Sequence, residues 1–459
     1  MLLFACQPAR DRSPIPAETL FTALPAAYTG INFRNDLHYT EAFNPYTFRN
    51  FFNGGGVGLG DVNNDGLVDV YLCGNQVDNQ LYLNRGDFDF EDITRHAGVA
   101  CPGVWSSGVS LADLNGDGWL DIYVCKSGSP GGDNRHNELF LNNADPDAEG
   151  RVTFTEQAAV WGLDNEGLST HAAFFDYDRD GDLDCYLLNN SLRSVGGYDL
   201  IPGQREIPDS LGGNRLLRNE GDHFVDVSQQ AGIYSSAIGF GLGVTIGDLN
   251  RDGWLDIYVS NDFFERDYLY LNQQDGTFRE ELPAEMPEIS LSSMGADMAD
   301  LNHDGYPEVF VTDMLPEGDA RMKTKTLFEN WDKYQLNLKN GYHRQFTRNV
   351  LQLNYGDGCF SEIGRLAGVH ATDWSWGALM FDFDNDGYRD IFVANGIYKD
   401  LTDQDYIHFF ASPETVRRIL QKEKAVIAQL IDSIPSEPVP NYAFVRDTGG
   451  SELVPRFRN

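Results

Sequence analysis

Apolar residues in this chain fall into short runs, and one succession of runs returns six times. A Gly- and Ala-rich run opens each repeat, as in Gly56-Val-Gly-Leu-Gly60, Gly108-Val-Ser-Leu-Ala112 and Gly377-Ala-Leu-Met-Phe381. An acidic cluster of nine residues follows, and then a β-branched and aromatic run: Val70-Tyr-Leu72, Ile122-Tyr-Val124, Cys185-Tyr-Leu187, Ile257-Tyr-Val259, Val309-Phe-Val311 and Ile391-Phe-Val393. Runs of this length bounded by Gly, Asn and Asp predict strands. A third run is framed by polar residues, as in Asn79-Gln-Leu-Tyr-Leu-Asn84, Asn137-Glu-Leu-Phe-Leu-Asn142 and Asp267-Tyr-Leu-Tyr-Leu-Asn272, and a fourth, such as Phe90-Glu-Asp-Ile93, closes the unit. Four strands per repeat is the arithmetic of a propeller blade. The pattern therefore predicts an all-β fold, a β-propeller with four-stranded blades. Six repeats are seen, the ring is six- or seven-bladed, and helical insertions lie on the faces.

The first aspartates of successive clusters are 52, 63, 72, 52 and 82 residues apart, so blades differ by insertion while the strand frame stays fixed. The largest insertions are 314–346 and 396–439. In the second, apolar and charged residues alternate at helical spacing from Pro413 to Ile434, which predicts a helix that caps or packs. Residues 28–459 read as one propeller domain, because repetition lets a single closed architecture absorb a length that otherwise splits into several domains. The segment Ile31 to Phe52 is a candidate closing strand, and Asn441 to Val445 begins like a third strand.

The acidic clusters share the form D-x-[DN]-x-D-G-x-x-[DE]. Positions 1, 3, 5 and 9 offer side-chain oxygens and position 7 a carbonyl. The candidate metal ligands are Asp61, Asn63, Asp65, Leu67 and Asp69 in the first loop and Asp113, Asn115, Asp117, Trp119 and Asp121 in the second. The third supplies Asp176, Asp178, Asp180, Asp182 and Asp184, and the fourth Asp248, Asn250, Asp252, Trp254 and Asp256. The fifth supplies Asp300, Asn302, Asp304, Tyr306 and Glu308, and the sixth Asp382, Asp384, Asp386, Tyr388 and Asp390. An all-oxygen set completed by water suits Ca²⁺, about one per loop and up to six in all. Gly at position 6 permits the tight turn. Without an ion the clustered carboxylates repel one another. Charge count predicts tightest binding at loops three and six, where position 3 is Asp, and weakest at loop five, which ends in Glu308.

A formal charge of -36, from 70 acidic and 34 basic residues, argues against nucleic acid as a partner and favours bound cations. The six cysteines form no CxxC pair, and the internal ones read as small buried thiols. Leu3-Phe4-Ala5-Cys6 has the shape of a lipobox, which makes Cys6 a candidate lipidation site and 1–27 a lipoprotein-like start and tether. No run of 18 apolar residues predicts a transmembrane helix. A lipid anchor is the membrane link this leaves.

These repeats resemble the FG-GAP and VCBS-like calcium-loop propellers, related to integrin α-chain head blades. The succession Asn-x-Leu-Tyr-Leu-Asn, Phe-x-Asp-Ile-Thr, Ala-Gly-Val is similar to that of bacterial cartilage-acidic-protein-like proteins, which often add a C-terminal ASPIC domain not seen here. The resemblance covers about 28–445. It implies a propeller, bound calcium and a secreted or outer-surface lipoprotein of a bacterium, with family members usually longer and seven-bladed.

Propellers bind ligands near the axis, where first strands converge. Trp105, Phe240, Trp374 and Trp376 fall there, with His171 in a slot that is Gly in the other five repeats. No nucleophile elbow, HExxH or phosphate loop is present. The leading reading is a non-catalytic extracellular binding or scaffold protein for glycan or protein partners. Two alternatives stand beside it. One is a polysaccharide lyase-like enzyme, for which His171 with Arg344 or Tyr342 could supply a base. The other is an integrin-like, calcium-dependent adhesion protein.

Overall fold

A computed structural model describes residues 20–103, 105–128, 135–193, 203–326, 330–423, 425–449 and 453–459. Six four-stranded antiparallel sheets follow one another, each ordered as its strands occur in the chain. Blade one comprises Val57–Gly60, Asp69–Leu72, Gln80–Asn84 and Phe90–Asp92. The first strands of the others are Trp105–Ala112, Ser169–Phe175, Gly241–Gly247, Ala296–Ala299 and Ser375–Phe381. Six blades thus resolve the sequence reading of six or seven. Blade six is completed by Tyr442–Arg446, the expected third strand, and by a fourth, Phe457–Arg458. No strand forms over 31–52, where the chain instead makes a 3-10 turn, Arg49–Phe52.

Apolar side chains of each blade pack against those of the next. Tyr71 and Leu81 of blade one meet Val109, Ile122 and Phe140 of blade two, for example. Full burial of such a side chain contributes about 1.5–3 kcal/mol. At the axis the first strands approach so closely that a Cβ on Gly56 would lie 2.9 Å from the Gly108 Cα. A Cβ on Gly108 would lie 2.4 Å from the Thr170 carbonyl oxygen, and one on Gly295 2.1 Å from that of Trp376.

The asparagines framing the third strands carry the polar joints. The leading residue accepts the backbone N–H at the end of the second strand in every blade: Asn79 from Gly74, Asn137 from Lys126, Asn214 from Asn189, Asp267 from Asn261, Asn349 from Asp313 and Asn441 from Asn395. The closing asparagine reaches back to the previous blade. Asn142 Nδ2 donates to the Val62 carbonyl at 2.8 Å, Asn272 to Tyr177 at 2.8 Å and Asn354 to Leu249 at 2.9 Å.

Blades six and one meet differently. A Cβ on Gly377 would touch only Ala394 of its own blade. Val57 and Leu59 of blade one are 60% and 64% exposed, and Leu379 and Phe381 of blade six 49% and 42%. An N-terminal strap occupies this seam. Phe21 packs edge-on against Phe383 and tilts over Phe392 of blade six. Asn32 N–H donates to the Tyr82 hydroxyl of blade one, and Phe43, Phe48 and Phe51 surround Trp105. The insertions carry helices Asp319–Lys325, Trp331–Lys339, Gln404–Phe410, Pro413–Leu420 and Val426–Asp432. Ser412 caps the Pro413–Leu420 helix by accepting from Thr415 N–H.

Candidate functional site

Each acidic loop joins the first and second strands of its blade, and its internal bonding repeats. The position-1 carboxylate accepts the position-6 glycine N–H in all six, from 2.7 Å for Asp61 with Gly66 to 3.2 Å for Asp176 with Gly181. Those glycines have φ between 86° and 102°. Position 4 is left-handed too, at Asn64, Gly116, Arg179, Arg251, His303 and Asn385, so the loop reverses twice.

The position-9 acid is buried at the root of the loop. Asp121 accepts Leu114 N–H at 3.0 Å and Asn142 N–H at 2.8 Å, which ties loop entry to the third strand. Asp69, Asp184, Asp256 and Asp390 repeat both bonds. Burial pushes Asp69 and Asp121 up to about 6 and Asp184 and Asp256 up to about 7. Glu308 departs from the set. Its Oε2 accepts Leu301 N–H at 2.7 Å while its enclosed Oε1 has no donor, and burial pushes it up to about 8.

Carboxylates converge where position 3 is Asp. Among the described residues, oxygens of Asp176, Asp178 and Asp184 lie within 4.8 Å of one another, as do those of Asp382, Asp384 and Asp390. In loops one, two, four and five the position-3 amide turns toward the position-5 acid, with Asn63, Asn115, Asn250 and Asn302 donating to Asp65, Asp117, Asp252 and Asp304. In loop three, Asp176 Oδ1, Asp178 Oδ1 and Asp182 Oδ1 are all enclosed without a donor. Enclosed carboxylate oxygens with no donor are costly unless a cation completes them, so this donor set fits a hard, oxygen-seeking ion.

Neighbouring loops are also chained to one another. Asn64 donates to the Gly118 carbonyl, the Arg179 guanidinium lies 4.7 Å from the Trp254 ring centroid, Arg251 lies 5.1 Å from Tyr306, and His303 stacks on Tyr388 at 4.9 Å. Position 4 of one loop thus covers position 6 or 7 of the next.

The opposite ends of the first strands open on the axis. Six rises of ~3.3 Å separate the two ends of a seven-residue strand, about 20 Å. A cavity of about 590 Å³ lies there, walled by Trp374, Trp376, Phe263, Arg49, Asn50 and Asn53 among others, above a neck of about 120 Å³ between Trp105, Ser107 and Thr170. The five candidate ligand residues divide. Trp374 and Trp376 line the cavity with ring centroids 6.5 Å apart. Trp105, 5% exposed, sits among the strap phenylalanines at the neck. Phe240 is fully buried beneath Arg49. His171 is partly buried, its Nδ1 enclosed without a partner, and burial lowers its pKa. Arg49 and the two asparagines carry no sequence signal, because their segment lies outside the repeat. Cys6 lies outside the described residues. Cys73, Cys101, Cys125 and Cys185 are buried free thiols, and Cys359 is exposed. No described helix is long and apolar enough to cross a membrane.

Comparison with known proteins returns the FG-GAP-like repeat family over residues 61–124, 207–259 and 248–311. Human cartilage acidic protein 1 is 28% identical over 213 residues, 46% of this chain and 28% of that protein. Human integrin alpha-6 is 36% identical over 86 residues, 16% of this chain and 8% of that one. The chain thus spans less than a third of the curated relatives it matches. A solved structure of an Agrocybe aegerita lectin, described as recognising non-reducing terminal N-acetylglucosamine, superposes with a TM-score of 0.41 at 15% identity over 74% of each chain, too remote to inform function. This chain is a six-bladed β-propeller that carries FG-GAP-like repeats over residues 61–124 and 207–311 and is similar over part of its length to cartilage acidic protein 1 and integrin alpha-6.

Proposed function

We propose that the protein is a calcium-stabilised, extracellular, non-catalytic binding propeller whose partner, a glycan or a protein, docks at the axial cavity. The observation that carries this reading is the cavity itself. Its volume falls in the range of ligand sites, about 300–1,000 Å³, and it pairs two indole faces with polar groups left unspent by the fold. The acidic loops lie at the other end of the strands and act as pins. A lyase is less well supported, since Tyr342 lines a separate pocket with Gln204 and Arg205, and His171 lines neither cavity. Adhesion through loop-bound calcium would place the partner on the opposite face.

Calcium at the loops is supported by the orphaned oxygens of loop three. An ion bound only by the folded state raises stability by RT ln(1 + [L]/Kd), so a chelator lowers the melting temperature and calcium restores it. Asp178→Ala removes one equivalent from the calcium stoichiometry. An unchanged melting temperature with chelator, and no metal in the purified protein, overturns the calcium reading. The partner is sought by binding wild type and Trp374→Ala to arrays of extracellular glycans and matrix proteins. A partner lost in Trp374→Ala supports the axial site, whereas a chelator-sensitive partner indifferent to Trp374 favours adhesion at the loops. Attachment of lipid at Cys6, in a secreted bacterial protein, belongs to the same proposal and is read as added mass on the N-terminal peptide.

A further inference from the structure

A guanidinium with no carboxylate in ion-pair contact among the described residues lines the axial cavity of a chain whose formal charge is -36. Arg49 opens the 3-10 turn of the strap and points its fork at neutral acceptors. Nη2 donates to Asn190 Oδ1 at 2.7 Å and to the Ser191 carbonyl, and Nη1 donates to the Arg193 carbonyl at 2.9 Å. The rings of Phe240 and Phe263 lie 4.9 and 5.2 Å from its Cζ. Among the described residues no carboxylate pairs with it. Of the five N–H groups on an arginine three are used here, and the enclosed Nε has no partner.

The cavity holds one acid, Asp262. It is 8% exposed, it accepts the Phe263 N–H at 2.7 Å, and burial pushes it up to about 6 while the charge of Arg49 acts the other way, so it offsets part of the guanidinium's charge without touching it. The second cation on the wall is Arg193. A partly buried guanidinium that hydrogen-bonds only to neutral oxygens, on a wall with two cations and one acid, is incompletely compensated, and a planar carboxylate is the group a guanidinium matches best.

The remaining groups narrow the ligand further. Asn50, 6% exposed, and Asn53 both line the cavity and make no side-chain hydrogen bond among the described residues. The Trp374 indole N–H is enclosed and unpartnered, whereas that of Trp376 donates to the Gly396 carbonyl at 2.7 Å. Phe263 and Asp373, the latter holding Trp374 N–H, carry φ of 63° and 72°, strain of the kind that gathers at ligand sites. An aromatic face takes the apolar face of a sugar ring, and amides take hydroxyls. An acidic peptide side chain would engage the guanidinium and leave these groups idle.

We infer that the axial cavity binds a carboxylate-bearing saccharide, a uronic-acid unit of an extracellular glycan, with the carboxylate at Arg49 and the sugar ring against Trp374. This rests on the axial-site reading above and names its ligand class. The test is calorimetric titration of the calcium-loaded full chain with a galacturonate trisaccharide, its methyl ester and a hexaglutamate peptide. The acid is expected to bind at least roughly tenfold more tightly than the ester, the difference to vanish in Arg49→Gln, and both to be lost in Trp374→Ala. If Arg49→Gln fails to fold, Trp374→Ala and the loss of the acid's advantage in high salt carry the test.

Equal binding of acid and ester, lost in Trp374→Ala, overturns the acid preference and leaves the axial site standing. Hexaglutamate bound as tightly as the trisaccharide overturns the saccharide. Absence of binding by all three overturns this inference, and the axial site falls with it only when the arrays also lack a Trp374-dependent partner.

Discussion

Asn142 donates its side-chain amide to the Val62 carbonyl at 2.8 Å, bolting the third strand of blade two to the entry of the acidic loop of blade one. The same amide serves the Leu120 carbonyl at 3.2 Å, and the Asn142 backbone N–H meets Asp121, so one residue fixes two loops. Asn142→Ala leaves buried carbonyls unmatched. We expect a loss of about 2–3 kcal/mol, measured as a lowered urea midpoint at unchanged slope. A loss below about 0.5 kcal/mol would mean that water replaces the amide without cost.

Lys126 is wholly buried, pairs with Glu138, and shares that acid with the Cys101 thiol, which donates to Oε2 at 2.9 Å. Removing one partner leaves a buried charge alone. Lys126→Met should cost about 3–5 kcal/mol, and adding Glu138→Leu should recover part of it, which a double-mutant cycle in urea measures. Additive losses would show that the two charges do not interact.

Asp267 stands where the other five blades have asparagine, accepting from Asn261 N–H and from the Tyr258 and Ser293 hydroxyls. Burial pushes it up to about 7. A raised folded value means that the folded state keeps a proton the unfolded chain releases near pH 4. Its contribution is therefore complete below that pH and is lost as pH rises through about 7, at roughly 1.4 kcal/mol per pH unit. Asp267→Asn should flatten that part of the stability profile. A profile unchanged by the substitution would assign the decline to other acids.

Phe21 is half-exposed yet contacts two phenylalanines of blade six. Phe21→Ala should lower stability by about 1 kcal/mol and raise binding of a hydrophobic dye at the seam. An unaltered melting temperature and dye signal would mean that the strap does not hold the seam.

The repeat makes the blades legible in the sequence alone. Gly at position 6, acids at fixed offsets and β-branched runs each have one local explanation, and all agree in the fold. The loop chemistry is legible to the same depth, down to the difference between Asn63 and Asp178. What the sequence conceals lies between repeats. The closing asparagines look like strand ends, and only the packed ring shows that they reach another blade. The strap reads as a closing strand because it is aromatic. Its phenylalanines instead form a cluster around Trp105, while the turn at Asn44 to Phe48 breaks any ladder. Arg49 is invisible for the same reason: its partners are more than 140 residues away.

The exposed faces of Val57 and Leu379 have a mechanical consequence. A ring whose blades all lock together shares every disturbance around its circumference, but this one behaves as a split washer, with two lips and a clasp of N-terminal chain. Amide exchange should be slowest in blades three and four and quicken toward both lips. The strap that closes the two lips also supplies Phe48, Arg49, Asn50 and Asn53 to the axial cavity, so the clasp and the cavity wall are one segment.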